Sequence, residues 1–212
     1  MNNRCILDSD SVNNDAQFDV IQTLIDSCEY DKAYEMLASI TGDSQKKEEL
    51  IRLVEPFYGL TGKWEINYDS MTTSDGKSHI VPYRYLYIDS ITMTRSSNNE
   101  NIPTVYFRNI IQSGIGKVEY SKSDPWDKWF NTGFFTSGNS SLTNSDGVAT
   151  FSTGSSNSDK SYPYKTCDIS YEYKNGIIYA EFSFYKPFGA GYGSSKVDAD
   201  IVVKCEYHKV NG

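Results

Sequence analysis

The side chains in this chain best suited to chemistry are aromatic. Seventeen of its 212 residues are tyrosine, and two pairs share one spacing: Tyr85 with Tyr87, and Tyr171 with Tyr173. Residues two apart lie on one face of a strand, so each pair sets two phenols side by side. Turned inward, both would line an apolar hollow with a few polar handles, the usual make-up of a small-molecule pocket. Turned outward at the ends, they would only edge a solid core. A third group, Trp126, Trp129, Phe130, Phe134 and Phe135, crowds five large rings into one connection, 123–137. Exposed, such rings mark a ligand or partner site, with flat faces that suit sugars. Folded inward, they would be a short helical lid over a barrel end. The expected ligand-binding residues are therefore Tyr85, Tyr87, Trp126, Trp129, Phe134, Tyr171 and Tyr173.

Catalytic groups are sparse. There is no Gly-x-Ser-x-Gly elbow and no His-Glu-x-x-His motif, and the two histidines, His79 and His208, accompany neither a nucleophile nor a metal cluster. A carboxylate pair such as Asp89 with Glu119 has the chemistry for glycoside hydrolysis, but nothing singles it out among 28 acidic residues. No enzymatic activity and no cofactor are expected. Phe188-Gly189-Ala190-Gly191-Tyr192-Gly193 does not lie between a strand and a helix, so it reads as a hairpin connection and not a nucleotide loop. The cysteines, Cys5, Cys28, Cys167 and Cys205, form no Cys-x-x-Cys. Cys167 and Cys205 fall on expected strands among apolar neighbours, either as buried thiols or as a disulfide that would imply an oxidising compartment. The net charge of -8 has the wrong sign for neutralising phosphates, so nucleic acid is not an expected partner. No apolar run approaches the ~18 residues of a membrane-spanning helix.

Two kinds of element must position these residues. Residues 1–15 are polar and acidic and read as disordered or linker. Over 16–57 the apolar residues keep a helical period: Phe18, Ile21, Leu24, Ile25 and Cys28, then Ala33, Met36, Leu37 and Ile40, then Leu50, Ile51, Leu53, Val54 and Phe57. Asn14 or Asp15 and then Ser44 are placed as caps, Gly42 as a stop, and Pro56 as a terminator. From 58 to 212 the period is two. Trp64, Ile66 and Tyr68 alternate with polar residues, 83–93 is a long strand, Val105, Phe107, Asn109 and Ile111 alternate in the next, and 115–121 is a shorter one. Residues 136–161 are rich in Ser, Asn, Gly and Thr and read as a long loop crossed by one weak strand at 148–152.

Asn175-Gly176 is the strongest local signal. It favours a two-residue type I′ turn, which fixes the register of its flanks. Tyr173 then faces Ile178, Tyr171 faces Ala180, Ile169 faces Phe182 and Cys167 faces Phe184, while Glu172, Ser170 and Asp168 fall on the other face. The final strand, 197–208, sorts the same way, with Val197, Ala199, Ile201, Val203, Cys205 and Tyr207 on one side. Seven or eight antiparallel strands with one dry face must close into a barrel or stack as a sandwich. The fold class is mainly β, an antiparallel β-barrel or, alternatively, a β-sandwich, behind a short helical segment.

The first strand opens Leu60-Thr61-Gly62-Lys63-Trp64, and this Gly-x-Trp resembles the signature of calycins: lipocalins, fatty-acid-binding proteins and avidins. The resemblance implies an up-and-down barrel with Trp64 across its closed end and Gly62 allowing close backbone approach. It further implies a small apolar or amphipathic ligand held inside. Lipocalins set an arginine near the last strand against that tryptophan; here only Lys204 and Lys209 are available, and Lys204 points to the wet face. The lipocalin C-terminal helix and the avidin biotin contacts have no counterpart. Tyr30-Asp31-Lys32-Ala33-Tyr34-Glu35-Met36-Leu37 is similar to a tetratricopeptide-like helix and to helical repeats that precede β domains in surface proteins of Gram-positive bacteria, implying further repeats in a larger chain. Composition leans toward an extracellular or cell-surface protein, the absent signal peptide toward a cytoplasmic one. The expected function is a non-enzymatic domain binding a small hydrophobic molecule, with a surface module for a glycan or protein partner, or a structural domain of a larger chain, as alternatives.

Overall fold

The computed structural model describes residues 9–42, 44–76, 83–110, 137–156, 166–185 and 199–210. They form two compact units, Met1–Tyr58 and Gly59–Gly212.

The first unit holds helices α1 (Ser9–Asp26), α2 (Tyr30–Ser39) and α3 (Gln45–Val54). The stripes bury as their period demands: Phe18, Ile21, Ile25, Ala33, Leu37, Leu50 and Val54 are all buried. Helix α1 starts at Ser9, ahead of the expected caps Asn14 and Asp15. Ser44 caps α3, its hydroxyl accepting from the Lys47 amide at 3.2 Å. The helix ends at Val54 in a 3-10 turn over Glu55–Phe57 containing Pro56. The rings of Tyr30 and Phe57 meet at 4.6 Å and those of Tyr34 and Tyr58 stack at 4.1 Å.

The second unit carries β1 (Gly62–Thr73), β2 (Tyr85–Arg95), β3 (Asn101–Ile110), β4 (Gly138–Ser141), β5 (Thr143–Ser145), β6 (Val148–Ser156), β7 (Thr166–Lys174), β8 (Ile177–Tyr185) and β9 (Ile201–Lys209). They form one antiparallel sheet in the order β4-β3-β2-β1-β9-β8-β7-β6-β5. The run 138–145 lies at both edges: its first half pairs with β3 and its second half with β6. The break falls at Leu142, whose amide bonds the Pro103 carbonyl at 2.8 Å, and the Ser152 amide reaches the Ser140 hydroxyl at 3.1 Å. One bent run thus joins the two edges, and the sheet is a nearly closed barrel. Closure leaves few unpaired edge groups and gives the dry face an inside.

The Asn175-Gly176 hairpin has the register its turn dictates, Tyr173 with Ile178 through Cys167 with Phe184. Both turn residues have positive φ, 53° and 75°, as type I′ requires. Ile201, Val203, Cys205 and Tyr207 are buried on β9; Val197 lies outside the described residues, and Ala199 precedes the strand. The expected strand at 115–121 also lies outside them.

Two expectations need correction. The stretch read as a loop crossed by one weak strand at 136–161 contains all of β4, β5 and β6, with a tight turn at Asp146-Gly147 (φ 52° and 81°). Its strands are polar in composition, yet Leu142, Ala149 and Phe151 reach the core. Tyr68 does not continue the inward row of Trp64 and Ile66. The β1–β9 register shifts between Asn67 and Thr72, which turns its ring out to 39 % exposure.

Candidate binding barrel

One end of the barrel is sealed by the residues at the start of β1. Trp64 is fully buried, and its indole N–H donates to the Leu60 carbonyl at 2.9 Å. The Tyr173 ring meets it edge-on at 5.6 Å. Lys209, paired with Trp64 in the β1–β9 register, lays its ammonium 5.7 Å from the indole centre and donates to the Gly59 carbonyl at 2.5 Å. Lys209 is therefore the cation against the tryptophan, while Lys204 bridges to Glu181 on the outer wall at 2.9 Å. Gly62 has φ +125°, a backbone conformation that suits glycine, while a Cβ there would make only ordinary contact with the Lys209 side chain at 3.4 Å. The short turns at 96–100, 146–147 and 175–176 belong to this end. At the opposite end the strands are joined through 74–84, 111–137, 157–165 and 186–200.

The side chains inside the barrel are mostly apolar, with a bonded polar pair, Asn109 and Tyr171, among them. Phe151 stacks on Tyr171 at 4.7 Å, and Phe107 leans on both at 5.5 and 5.8 Å. Phe107 lies over Gly138, where a Cβ would stand only 2.9 Å from its ring. Beside this cluster the Asn109 amide donates to the Tyr171 hydroxyl at 3.2 Å, and that hydroxyl faces Asn109 Oδ1 at 3.4 Å. Asn109 is 2 % exposed and Tyr171 fully buried. Burial pushes the Tyr171 hydroxyl well up, so it stays neutral. The Tyr207 hydroxyl donates to the Tyr83 carbonyl at 2.9 Å. Among the described residues no charged side chain is buried; the buried polar ones are Thr104, Asn109 and Thr166.

Tyr171 and Tyr173 point inward as expected. Tyr85 and Tyr87 do not: Leu86 and Ile88 take the buried side of β2, and both tyrosines stand half-buried outside. There they alternate with cations. Arg84 lies 5.3 Å from the Tyr85 ring, Lys63 3.9 Å from Tyr85 and 5.9 Å from Tyr87, and Arg108 5.2 Å from Tyr87. Arg84 pairs with Glu65 at 2.5 Å and Arg108 with Asp89 at 2.6 and 2.7 Å. The Arg108 guanidinium holds the Asp89 carboxyl below the usual range. Cations over both rings make this a stacked ladder.

Trp126, Trp129, Phe134 and the rest of their segment lie outside the described residues. Cys167 and Cys205 are free. They face Phe184 and Ala180 of the intervening strand β8, so the disulfide alternative is not formed. Burial pushes the Cys205 thiol up to about 12 and holds the Cys167 thiol well above its ordinary value, so both act as small hydrophobes. The described hollows lie on the outer wall. One of about 310 Å³ is lined by Tyr179, Glu172, Glu181, Lys204 and Glu206. A second, of about 430 Å³, includes Ser152, Asp168 and Ser183.

Sequence reasoning placed Asn109 in an inward row without giving it a role. The available signal was its type: a lone amide following Val105 and Phe107 on a dry face. No family model matches the chain, and no match is found among curated proteins or solved structures.

Proposed function

We propose that the barrel is a non-enzymatic binding module that holds one small apolar or amphipathic molecule in its lumen, as calycins do. The observation that carries this reading is the difference between the two ends: Trp64, Tyr173 and Lys209 stopper one, while the long connections all join strands at the other. A vessel closed at one end and walled by apolar residues can hold a ligand by the area it removes from water. The test is titration with the neutral fluorophore N-phenyl-1-naphthylamine, checked by native mass spectrometry. Saturable uptake of one molecule per chain is expected. Absence of saturable uptake would end the reading.

A second reading, a surface module for glycans, draws on Tyr179. Its ring is 40 % exposed in the hollow among Glu172, Glu181 and Glu206, where a sugar could stack and hydrogen-bond. Binding on a glycan array that Tyr179→Ala abolishes would favour it over the lumen.

A further inference from the structure

We propose that the outer wall formed by β6–β9 takes a short sugar chain bearing free amines, with a sugar face stacked on Tyr179 and its ammonium groups among Glu172, Glu181 and Glu206. This rests on the reading of Tyr179 as a glycan platform and names the sugar class. In the sheet Tyr179 lies between Glu172 of β7 and Glu206 of β9, and Glu181 follows two residues along the same face of β8. Opposed residues stand about 5 Å apart at Cβ, so three carboxylates surround one ring. That ring is 40 % exposed in the hollow of about 310 Å³. The second hollow, of about 430 Å³, adjoins it, because Ser170 and Glu181 line both. Together they form a trough across the strands, with Ser152, Asp168 and Ser183 at its far end, which gives room to a chain and not only to a single sugar.

The ring marks the place, and the charge around it selects the ligand. On the β1–β3 wall the rings of Tyr85 and Tyr87 carry the protein's own cations, Lys63, Arg84 and Arg108. Among the described residues no cation lies over the Tyr179 ring. Lys204 is the one described cation lining the trough, and it is bridged to Glu181 at 2.9 Å. His208 lies 3.1 Å from Glu206. Glu172 has no hydrogen bond or ion pair among the described residues. An ammonium group brought by a ligand would gain from the open ring face and from the carboxylates together. A neutral sugar gains the stacking alone. A uronate or sulfate meets four carboxylates, Asp168, Glu172, Glu181 and Glu206, and is repelled.

The experiment titrates the full chain by calorimetry at pH 6 with the β-linked tetramer of glucosamine, its N-acetylated form and cellotetraose. These differ at one ring carbon, as ammonium, acetamide and hydroxyl. At that pH the carboxylates are ionised and the free amines largely protonated. The glucosamine tetramer is expected to bind about ten-fold more tightly than the other two. Tyr179→Ala should abolish that binding. Glu172→Gln should weaken it about five-fold, the upper scale of an exposed ion pair, and gives the comparison should Tyr179→Ala fail to fold. Tyr106→Ala removes a ring of β3 that is 36 % exposed and should change nothing. Equal or weaker binding of the amine form would overturn the inference while leaving the glycan reading standing. So would glucosamine-tetramer binding that neither Tyr179→Ala nor Glu172→Gln moves, the result expected from mere attraction to a chain of net charge -8. Free glucosamine binding as tightly as its tetramer would overturn the claim of a chain. Binding of no tetramer would overturn the inference, and a blank glycan array besides would remove the glycan reading with it.

Discussion

Tyr171 with Tyr173 and Tyr85 with Tyr87 have the same spacing and opposite fates. The first pair is buried inside the barrel; the second stands on the outer wall between cations. The difference lies in the residues between them. Ser170, Glu172 and Lys174 flank the first pair and need water, so the tyrosines go in. Leu86 and Ile88 flank the second, and an aliphatic side chain has no polar atom to satisfy, so it claims the inside and the tyrosines go out. A phenol is content on either side if its ring is covered and its hydroxyl is bonded. Tyrosine therefore follows its neighbours' choice of face.

The comparison is broken most forcefully at the stopper. Trp64→Ala is expected to cost about 3–5 kcal/mol, the range for a buried aromatic truncated to alanine, measured by denaturant unfolding of the intact chain. A loss below about 1 kcal/mol would mean Trp64 closes nothing. Next comes Gly138→Val, whose Cβ would press on a Phe107 ring already held by Phe151 and Tyr171. Overpacking of this kind costs about 1–3 kcal/mol and should lower the thermal midpoint.

The tyrosine pairs are contrasted directly by removing one oxygen at a time. Tyr171→Phe takes away the partner of a buried amide and should cost about 1–3 kcal/mol. Tyr85→Phe on the half-buried outer wall should stay within about 0.5 kcal/mol. Equal costs would erase the distinction. The smallest effect belongs to Asp89. Its carboxyl is held low by Arg108, so the pair's contribution is present above the ordinary carboxylate pKa of about 3.9 and fades as pH falls through the lowered value. The side chains are 36 % and 50 % exposed, so solvent and salt screen the pair. The stability gap between wild type and Asp89→Asn should be small at pH 7 and close in acid.

The sequence made the β architecture readable wherever a turn with one geometry met unambiguous flanks. Asn175-Gly176 fixed the pairing of 167–174 with 177–184 in the register the strands adopt. Asp146-Gly147 is a turn of the same kind, but its neighbours Thr143, Asn144 and Ser145 are polar on both faces, so alternation had nothing to show. The shift that exposes Tyr68 is a mismatch between β1 and β9, and no single strand encodes it. Trp64 was legible as a stopper from Gly-x-Trp, and Lys209 as one of two cations that could lie against it. The Asn109–Tyr171 contact was not legible because the two residues are 62 positions apart and meet only once the sheet has curled.

That last contact tests closure and facing together. Strands β3 and β7 are not neighbours in the sheet, so Asn109 and Tyr171 meet only if the barrel closes with both pointing inward. A nuclear Overhauser spectrum of the folded chain should show cross-peaks between the Asn109 side-chain amide protons and the Tyr171 ring. An Asn109 amide that exchanges freely with water and shows no contact with that ring would contradict the account.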